Sequence, residues 1–141
     1  MRPVRITAGA LGEGLPHTDL VVTADHGLVI EGRVVNASAL VGAPGIAYVP
    51  SEEIGDRAVY YHIETEGHRV VLANGAPAET YVDYVGRRAF DNYAEFLALY
   101  GGEDTIAEME LPRISSLRQM PSSLRRRFGL AEDEITFSTA A

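Results

Sequence analysis

Residues 68–82, HRVVLANGAPAETYV, decide the fold class of this chain. Apolar residues flank Asn74-Gly75, and both of these residues tolerate the positive φ angles that a type I′ turn requires. The stretch therefore predicts a β-hairpin whose first strand covers residues 68–73 and whose return strand covers residues 78–82. Pro77 has no amide hydrogen to donate to a neighbouring strand, which predicts that the return strand lies near a sheet edge.

The sequence before this hairpin has the same β character. Residues 59–65 alternate, with Val59, Tyr61 and Ile63 on one side and His62 on the polar side, which predicts a half-buried strand. Residues 28–30 and 33–35 flank Glu31-Gly32 and predict a second hairpin. Short apolar runs predict three further strands, over residues 4–6, 20–23 and 45–49.

The period of the apolar residues changes after residue 86. Helical spacing predicts a helix with a stripe that faces the core, formed by Ala89, Phe90, Tyr93, Phe96, Leu97 and Tyr100. A second short helix is predicted over residues 122–128, with Ser122 or Ser123 as its cap and Gly129 as its terminator. The chain is thus predicted to be mainly β, with α-helices appended after the β region.

Composition excludes several classes of function. The chain has 141 residues, 46% of them hydrophobic, which is enough for one core, and its net charge of −8 argues against binding to nucleic acid. All 12 basic residues are Arg, so Schiff-base chemistry on lysine is excluded. The absence of Cys excludes disulfides, thiolate nucleophiles and cysteine metal sites. No apolar run approaches the roughly 18 residues of a membrane span, and the first residues lack the apolar stretch of a signal peptide.

Histidines are the main candidates for chemistry. Thr23 and His26 stand three residues apart at a predicted strand end, where both side chains can point at one peptide: the histidine protonates a leaving amine and the threonine holds the adjacent carbonyl or amide. The alternative is a structural role, in which His26 only bonds a backbone carbonyl. His62 and His68, with His26 and Glu64 or Glu66, form a second possibility, a metal site, although nothing in the spacing fixes a third ligand.

Several segments, in this order, resemble the bacterial Hedgehog/intein (Hint) domain. They are PVRITAGALG at 3–12, DLVVTADH at 19–26, the stretch 28–40, VYYHIE at 59–64 and HRVVLANG at 68–75, followed by Ala78, Glu79, Thr80 and Tyr81. The resemblance covers residues 3–92. It implies a mainly β, horseshoe-shaped fold whose members rearrange their own backbone.

The resemblance also implies roles for three residues. In the family, an N-terminal Cys or Ser attacks the preceding peptide carbonyl, a Thr and a His of a TxxH motif strain and protonate that peptide, and a late His assists resolution. By position, Thr23 and His26 match the TxxH motif and His68 matches the late histidine, so these are the predicted catalytic residues. No cofactor and no metal are implied.

The chain departs from the family pattern in two ways. The strands that carry the nucleophile in the family normally precede the segment at residue 3, and they are missing here. Where splicing members end in His-Asn, this sequence has Glu79-Thr80. We therefore expect a Hint-like β region over residues 1–92 that lacks its N-terminal strands, a helical extension over 93–130 and a flexible tail over 131–141.

Two functions follow from this comparison. In the first, the chain is part of a self-processing domain, inactive alone, that assists an acyl shift on a nucleophile supplied by a complementary N-terminal Hint segment or a flanking polypeptide. In the second, it is a catalytically inactive Hint-derived binding or assembly module. Its helices over 93–130 then either replace the missing strands in the core or form a homodimer contact through the apolar residues Tyr93, Phe96, Leu97 and Tyr100. Neither nucleic acid nor membrane is an expected partner. The location is either cytoplasmic or exported without a classical signal peptide.

Overall fold

The computed structural model describes residues 2–55, 58–82, 87–102 and 106–130. They form eight short strands in two sheets, together with three α-helices, so the prediction of a mainly β fold followed by C-terminal helices is confirmed. The chain divides into two compact units. The first comprises the described residues within Met1–Tyr60, Val70–Glu79 and Leu111–Ala141, and the second those within Tyr61–Arg69 and Thr80–Glu110. The predicted tail over residues 131–141 lies outside the described residues.

The first unit contains a three-stranded antiparallel sheet. Its strands are β1 (Val4–Ile6), β2 (Leu20–Val22) and β5 (Ile46–Tyr48), in the order β2-β1-β5. The predicted strands at residues 4–6, 20–23 and 45–49 are therefore present. Helix α1 (Ser51–Ile54) follows β5.

The same unit contains a five-stranded sheet in the order β6-β7-β3-β4-β8. Its strands are β3 (Gly27–Ile30), β4 (Arg33–Asn36), β6 (Val70–Ala73), β7 (Ala76–Glu79) and β8 (Arg113–Ile114). Both predicted hairpins are confirmed: φ is positive at Glu31 and Gly32 and again at Asn74 and Gly75, as a type I′ turn requires. Pro77 does not mark an edge, because β7 pairs with β6 on one side and with β3 on the other. β7 pairs with β3 only through Ala78, which lies opposite Leu28. This pairing therefore does not require an amide hydrogen from Pro77.

The core of the first unit contains side chains from early and from late parts of the described chain. Residues of β1, β3 and β4 such as Ile6, Leu28 and Val35 are almost fully buried. Side chains far along the chain join the same cluster, namely Ile114, Met120, Leu124, Phe128 and Leu130. Helix α3 (Ser122–Arg127) therefore contributes to this core rather than standing apart from it.

Helix α3 is present as predicted, but its ends differ in detail from the sequence-based expectation. Pro121 occupies the cap position, and neither serine side chain makes a capping bond. Gly129 follows the helix with φ of 65°, as its terminator role predicts. Arg125 is buried, and its guanidinium donates to the carbonyl oxygens of Met120 and Leu117, at 3.0 and 2.7 Å, so it holds the preceding turn together.

Two expectations, for residues 59–65 and for the helix that ends at Tyr100, are wrong in part or in whole. No strand forms over residues 58–64, and the side chains predicted to face the core are exposed, Tyr61 most of all at 88%. Helix α2 (Tyr93–Tyr100) exists, yet none of its residues is buried and Tyr100 is 72% exposed. The alternation over residues 59–65 thus predicted a strand wrongly, whereas the helical spacing predicted α2 correctly but not its exposure, because a period does not show which neighbour packs against the apolar side. No helix among the described residues is long and apolar enough to cross a membrane.

Gly75 illustrates how tightly one hairpin turn is packed. An added Cβ atom would lie 2.4 Å from the ring of His17, whereas the equivalent Gly32 of the other hairpin has nothing within 4 Å. Both positions have positive φ. Because the His17 side chain is exposed and its ring can shift, Gly75→Ala should lower the free energy of unfolding by about 1–2 kcal/mol, and Gly32→Ala by about 1 kcal/mol, the cost of the left-handed backbone alone. Urea unfolding of the two variants checks this, and equal losses would contradict the steric contribution of His17.

Candidate catalytic turn

Thr23 and His26 lie at the two ends of one tight turn that connects β2 to β3. The amide of His26 donates to the carbonyl of Thr23 at 3.1 Å, which is the bond that closes a β-turn. The ends of such a turn lie within about 7 Å of each other. The spacing of TxxH is therefore the spacing of a β-turn, and the structure brings these two predicted site residues together.

Two further backbone bonds fix this turn against the chain after β4. Ala37 donates its amide to the carbonyl of His26, and Ser38 donates to the carbonyl of Ala24, each at 2.9 Å. Ala37 is fully buried at the start of a short 3₁₀ turn, Ala37–Leu40. The backbone that bears the two candidate side chains is thus held by two bonds from the segment that follows β4.

The hydroxyl of Thr23 is the unusual polar group at this turn. Its Oγ1 is buried, and within the described part of the chain it has no hydrogen-bond partner. A buried polar atom without a partner costs about 1–3 kcal/mol relative to one that is satisfied. Such a group calls for an explanation, which is strain, a bound water or ion, or a functional role, and this makes the turn the strongest candidate site.

A buried carboxylate holds the residue after His26. Glu79 Oε1 accepts from the amide of Gly27 at 2.8 Å, and the Glu79 side chain is only 7% exposed. Arg113 pairs with both carboxylate oxygens, and its Nη1 also donates to Asn36 Oδ1 at 2.7 Å. A residue of the chain's C-terminal part therefore neutralises the charge that anchors the beginning of β3.

Gly27 is required for this arrangement for a steric reason. A Cβ atom at this position would lie 2.3 Å from Val34 Cγ1 and 2.7 Å from Glu79 Oε1. The absence of a side chain allows the carboxylate to reach the backbone amide directly. The sequence did not predict that Gly27, Glu79 and Arg113 interact. The only sign was that Glu79 stands where the resemblance implies a histidine in splicing members.

His68 belongs to the second unit, where it is buried. Its Nδ1 accepts a hydrogen bond from the amide of Met109 at 3.0 Å. Because Nδ1 accepts, the neutral ring carries its proton on Nε2. The structure thus fixes the orientation of the predicted late histidine through a residue far along the chain.

Thr80 organises the backbone that follows His68. Its hydroxyl accepts from the amide of Arg69 at 2.8 Å and donates to the carbonyl of the same residue at 3.0 Å. The hydroxyl of Thr65 lies 3.3 Å away. Thr80, which the resemblance aligns with the terminal asparagine of splicing members, thus bonds to the backbone of Arg69 in this structure.

The second unit also contains a cavity of about 170 Å³. The Arg87 guanidinium lies 5.2 Å from the ring centroid of Tyr81 and 5.4 Å from that of Phe96, and its Nε donates to Glu64 Oε1 at 2.5 Å. The ring of His62 packs edge-on against Phe90 in the same wall. His62 and Glu64 thus line the cavity. Among the described residues, no group of three or more His, Asp or Glu is arranged to hold a metal ion.

Arg5 in the first unit has a raised pKa because it is paired with a carboxylate. Its Nη2 donates to Glu53 Oε2 at 2.7 Å, and this hydrogen bond together with the carboxylate charge raises the pKa of Arg5 above its usual value. Arg5 belongs to the central strand β1, and Glu53 belongs to α1, which follows β5. The Arg5 charge is therefore neutralised from the part of the chain that follows β5.

Comparison with known proteins gives one match. A family model described as the Hint domain matches residues 1–85, which is more than half of the chain. Neither the curated proteins nor the solved structures include a match. The matched range contains Thr23, His26, His68 and Glu79, and it ends before Arg113 and α3.

Proposed function

Because this chain belongs to the Hint domain family, we propose that it is part of a self-processing domain. It assists an N-terminal acyl shift on a nucleophile supplied from outside this chain. The sequence contains no Cys, which favours an external source for a thiol. The partner in this proposal is the polypeptide segment that bears the nucleophile.

The reaction exchanges one acyl bond for another. The nucleophile's sulfur or oxygen attacks the carbonyl carbon of the peptide bond before it, and the C–N bond breaks. A thioester or ester forms, and the released amine takes up a proton. The thiol or hydroxyl gives up its proton, so no other reactant is needed.

Thr23 and His26 have complementary roles in this proposal. The Thr23 hydroxyl donates to the carbonyl oxygen or accepts from the amide of the scissile peptide, and the imidazole of His26 protonates the departing nitrogen. His68 assists the later resolution of the ester. The observation that carries the proposal is the buried Thr23 Oγ1, which has no hydrogen-bond partner among the described residues and lies on a turn that also bears His26.

Cleavage by hydroxylamine tests the proposal. The first segment of a Hint domain, bearing its Cys and preceded by a reporter polypeptide, is fused before Arg2 through a flexible linker. Hydroxylamine should release the reporter, because it attacks thioesters much faster than amides. His26→Ala should reduce the release rate by about 100-fold or more, the usual contribution of a general acid.

His17→Ala is the matched control, because His17 is an exposed histidine of the same unit. Its release rate should equal that of the unchanged chain. If the unchanged fusion releases no reporter, or if both histidine variants behave alike, the proposal is wrong.

A further inference from the structure

Hydrogen bonding in β1 alternates between its two neighbours. The amide of Thr7 donates to Gly45 and the amide of Val49 donates to Pro3, both at 2.9 Å, which shows that the odd-numbered residues of β1 bond to the β5 side. Even-numbered residues of β1 therefore bond to β2, because antiparallel pairs alternate in this way.

This alternation determines where the backbone of β2 points. Val22 and Leu20 stand opposite Val4 and Ile6, so they form the bonded pairs with β1. Val21, between them, directs both its N–H and its C=O away from β1, towards the outer edge of the sheet. No strand of the described residues pairs with that edge.

Apart from its short length, the edge of β2 lacks the usual protections against strand addition. Its three residues, Leu20, Val21 and Val22, include no charge and no proline, and the Val21 side chain is 44% exposed. Edge strands that must stay unpaired commonly carry Lys, Pro or a bulge. One end of the edge is defined by Asn74, whose Nδ2 donates to the carbonyl of Asp19 at 3.1 Å.

The other end of the edge is Thr23. A chain paired with Val21 would reach Thr23 after two residues, a distance of about 7 Å along a strand. Thr23 presents a buried hydroxyl without a partner in the described residues. The Thr23 hydroxyl, which has no partner in the described residues, thus lies one residue beyond β2, whose outer edge is unpaired in the same residues.

We propose that the nucleophile-bearing segment docks by adding a strand to the outer edge of β2. Val21 exchanges its two backbone bonds with this segment, and the scissile peptide comes to lie beside Thr23. Main-chain bonds supply the affinity, so the segment must be extended and must not carry proline opposite Val21. This inference rests on the proposed function and adds the mode by which the partner is held.

Proline at residue 21 tests the docking mode. Val21→Pro removes the outward N–H and leaves the bonds to β1 in place, and edge strands tolerate proline. Tyr48→Pro is the matched control, since Tyr48 alternates with Ala47 in β5 and directs its amide outward at the opposite edge of the same sheet. The probe is the first segment of a Hint domain with Ala in place of its nucleophile, so that it binds without reacting.

Val21→Pro should weaken binding of this probe by about tenfold or more, whereas Tyr48→Pro should bind as the unchanged chain does. Amide exchange on the unchanged chain, with the probe fused before Arg2, gives a second test that needs no variant. The Val21 amide should become protected when the fused probe is present, and the Tyr48 amide should not.

Equal binding by the two proline variants, or no added protection at Val21, would overturn the docking mode. The proposed function is judged separately, by reporter release with the reactive segment. Release that depends on His26 without protection at Val21 leaves the function standing and removes the docking mode. Protection of the Val21 amide without reporter release leaves the docking mode standing and removes the proposed function.

Discussion

Replacing Arg113 with methionine is expected to lower the free energy of unfolding by about 3–5 kcal/mol. The change keeps most of the side chain's volume and removes its charge. The Glu79 carboxylate, 7% exposed, would then be buried without a counter-charge, and Asn36 Oδ1 would lose a donor. Urea unfolding followed by circular dichroism measures the loss.

Two further variants separate this effect from a general loss of arginine. Arg118→Met, at an exposed position of the same segment, should change stability by less than about 0.5 kcal/mol. The double variant Glu79→Gln/Arg113→Met should recover most of the loss, because a neutral amide oxygen still accepts from Gly27. If Arg113→Met is as mild as Arg118→Met, the buried pair does not stabilise the β3 anchor.

Thr23→Val is expected to change stability and activity in opposite directions. Valine has nearly the shape of threonine, and it removes a buried hydroxyl that has no partner in the described residues. The free energy of unfolding should rise by about 1 kcal/mol. Reporter release by hydroxylamine should fall by about 100-fold or more, the typical loss when one preorganised hydrogen-bonding group is removed from a reacting carbonyl.

Thr65→Val is the matched control for stability, because the Thr65 hydroxyl does have partners. It donates to the carbonyl of Gly67 at 2.8 Å and lies 3.3 Å from Thr80 Oγ1. This variant should be destabilised by about 1 kcal/mol. A destabilised Thr23→Val, or one with unchanged reporter release, would show that the Thr23 hydroxyl serves the fold and not the reaction.

Local turn chemistry is what made the β region predictable. Glu31-Gly32 and Asn74-Gly75 each specify a type I′ turn through two adjacent residues, and both hairpins formed where the sequence placed them. The TxxH spacing was informative for the same reason, since positions i and i+3 are the ends of a β-turn. Each of these signals is contained within a few residues.

Contacts between distant residues were not predictable from one sequence. Glu79 and Arg113 are 34 residues apart, and no local pattern shows that β8 joins the sheet beside β4. The apolar stripe of α2 was read correctly as helical, but it is not buried, because burial depends on a neighbour that the period does not specify. The division 1–92, 93–130 and 131–141 and the homodimer contact remain predictions.

The identity of the fragment that hydroxylamine releases tests the central claim most directly. Mass spectrometry of the released reporter from the fused, unchanged chain should show a hydroxamate on the residue before the nucleophile, and this product should be nearly absent with His26→Ala. That result would mean that the turn of Thr23 and His26 assists an acyl shift on an external nucleophile. No hydroxamate from the unchanged chain, or equal amounts from the two chains, would contradict the account.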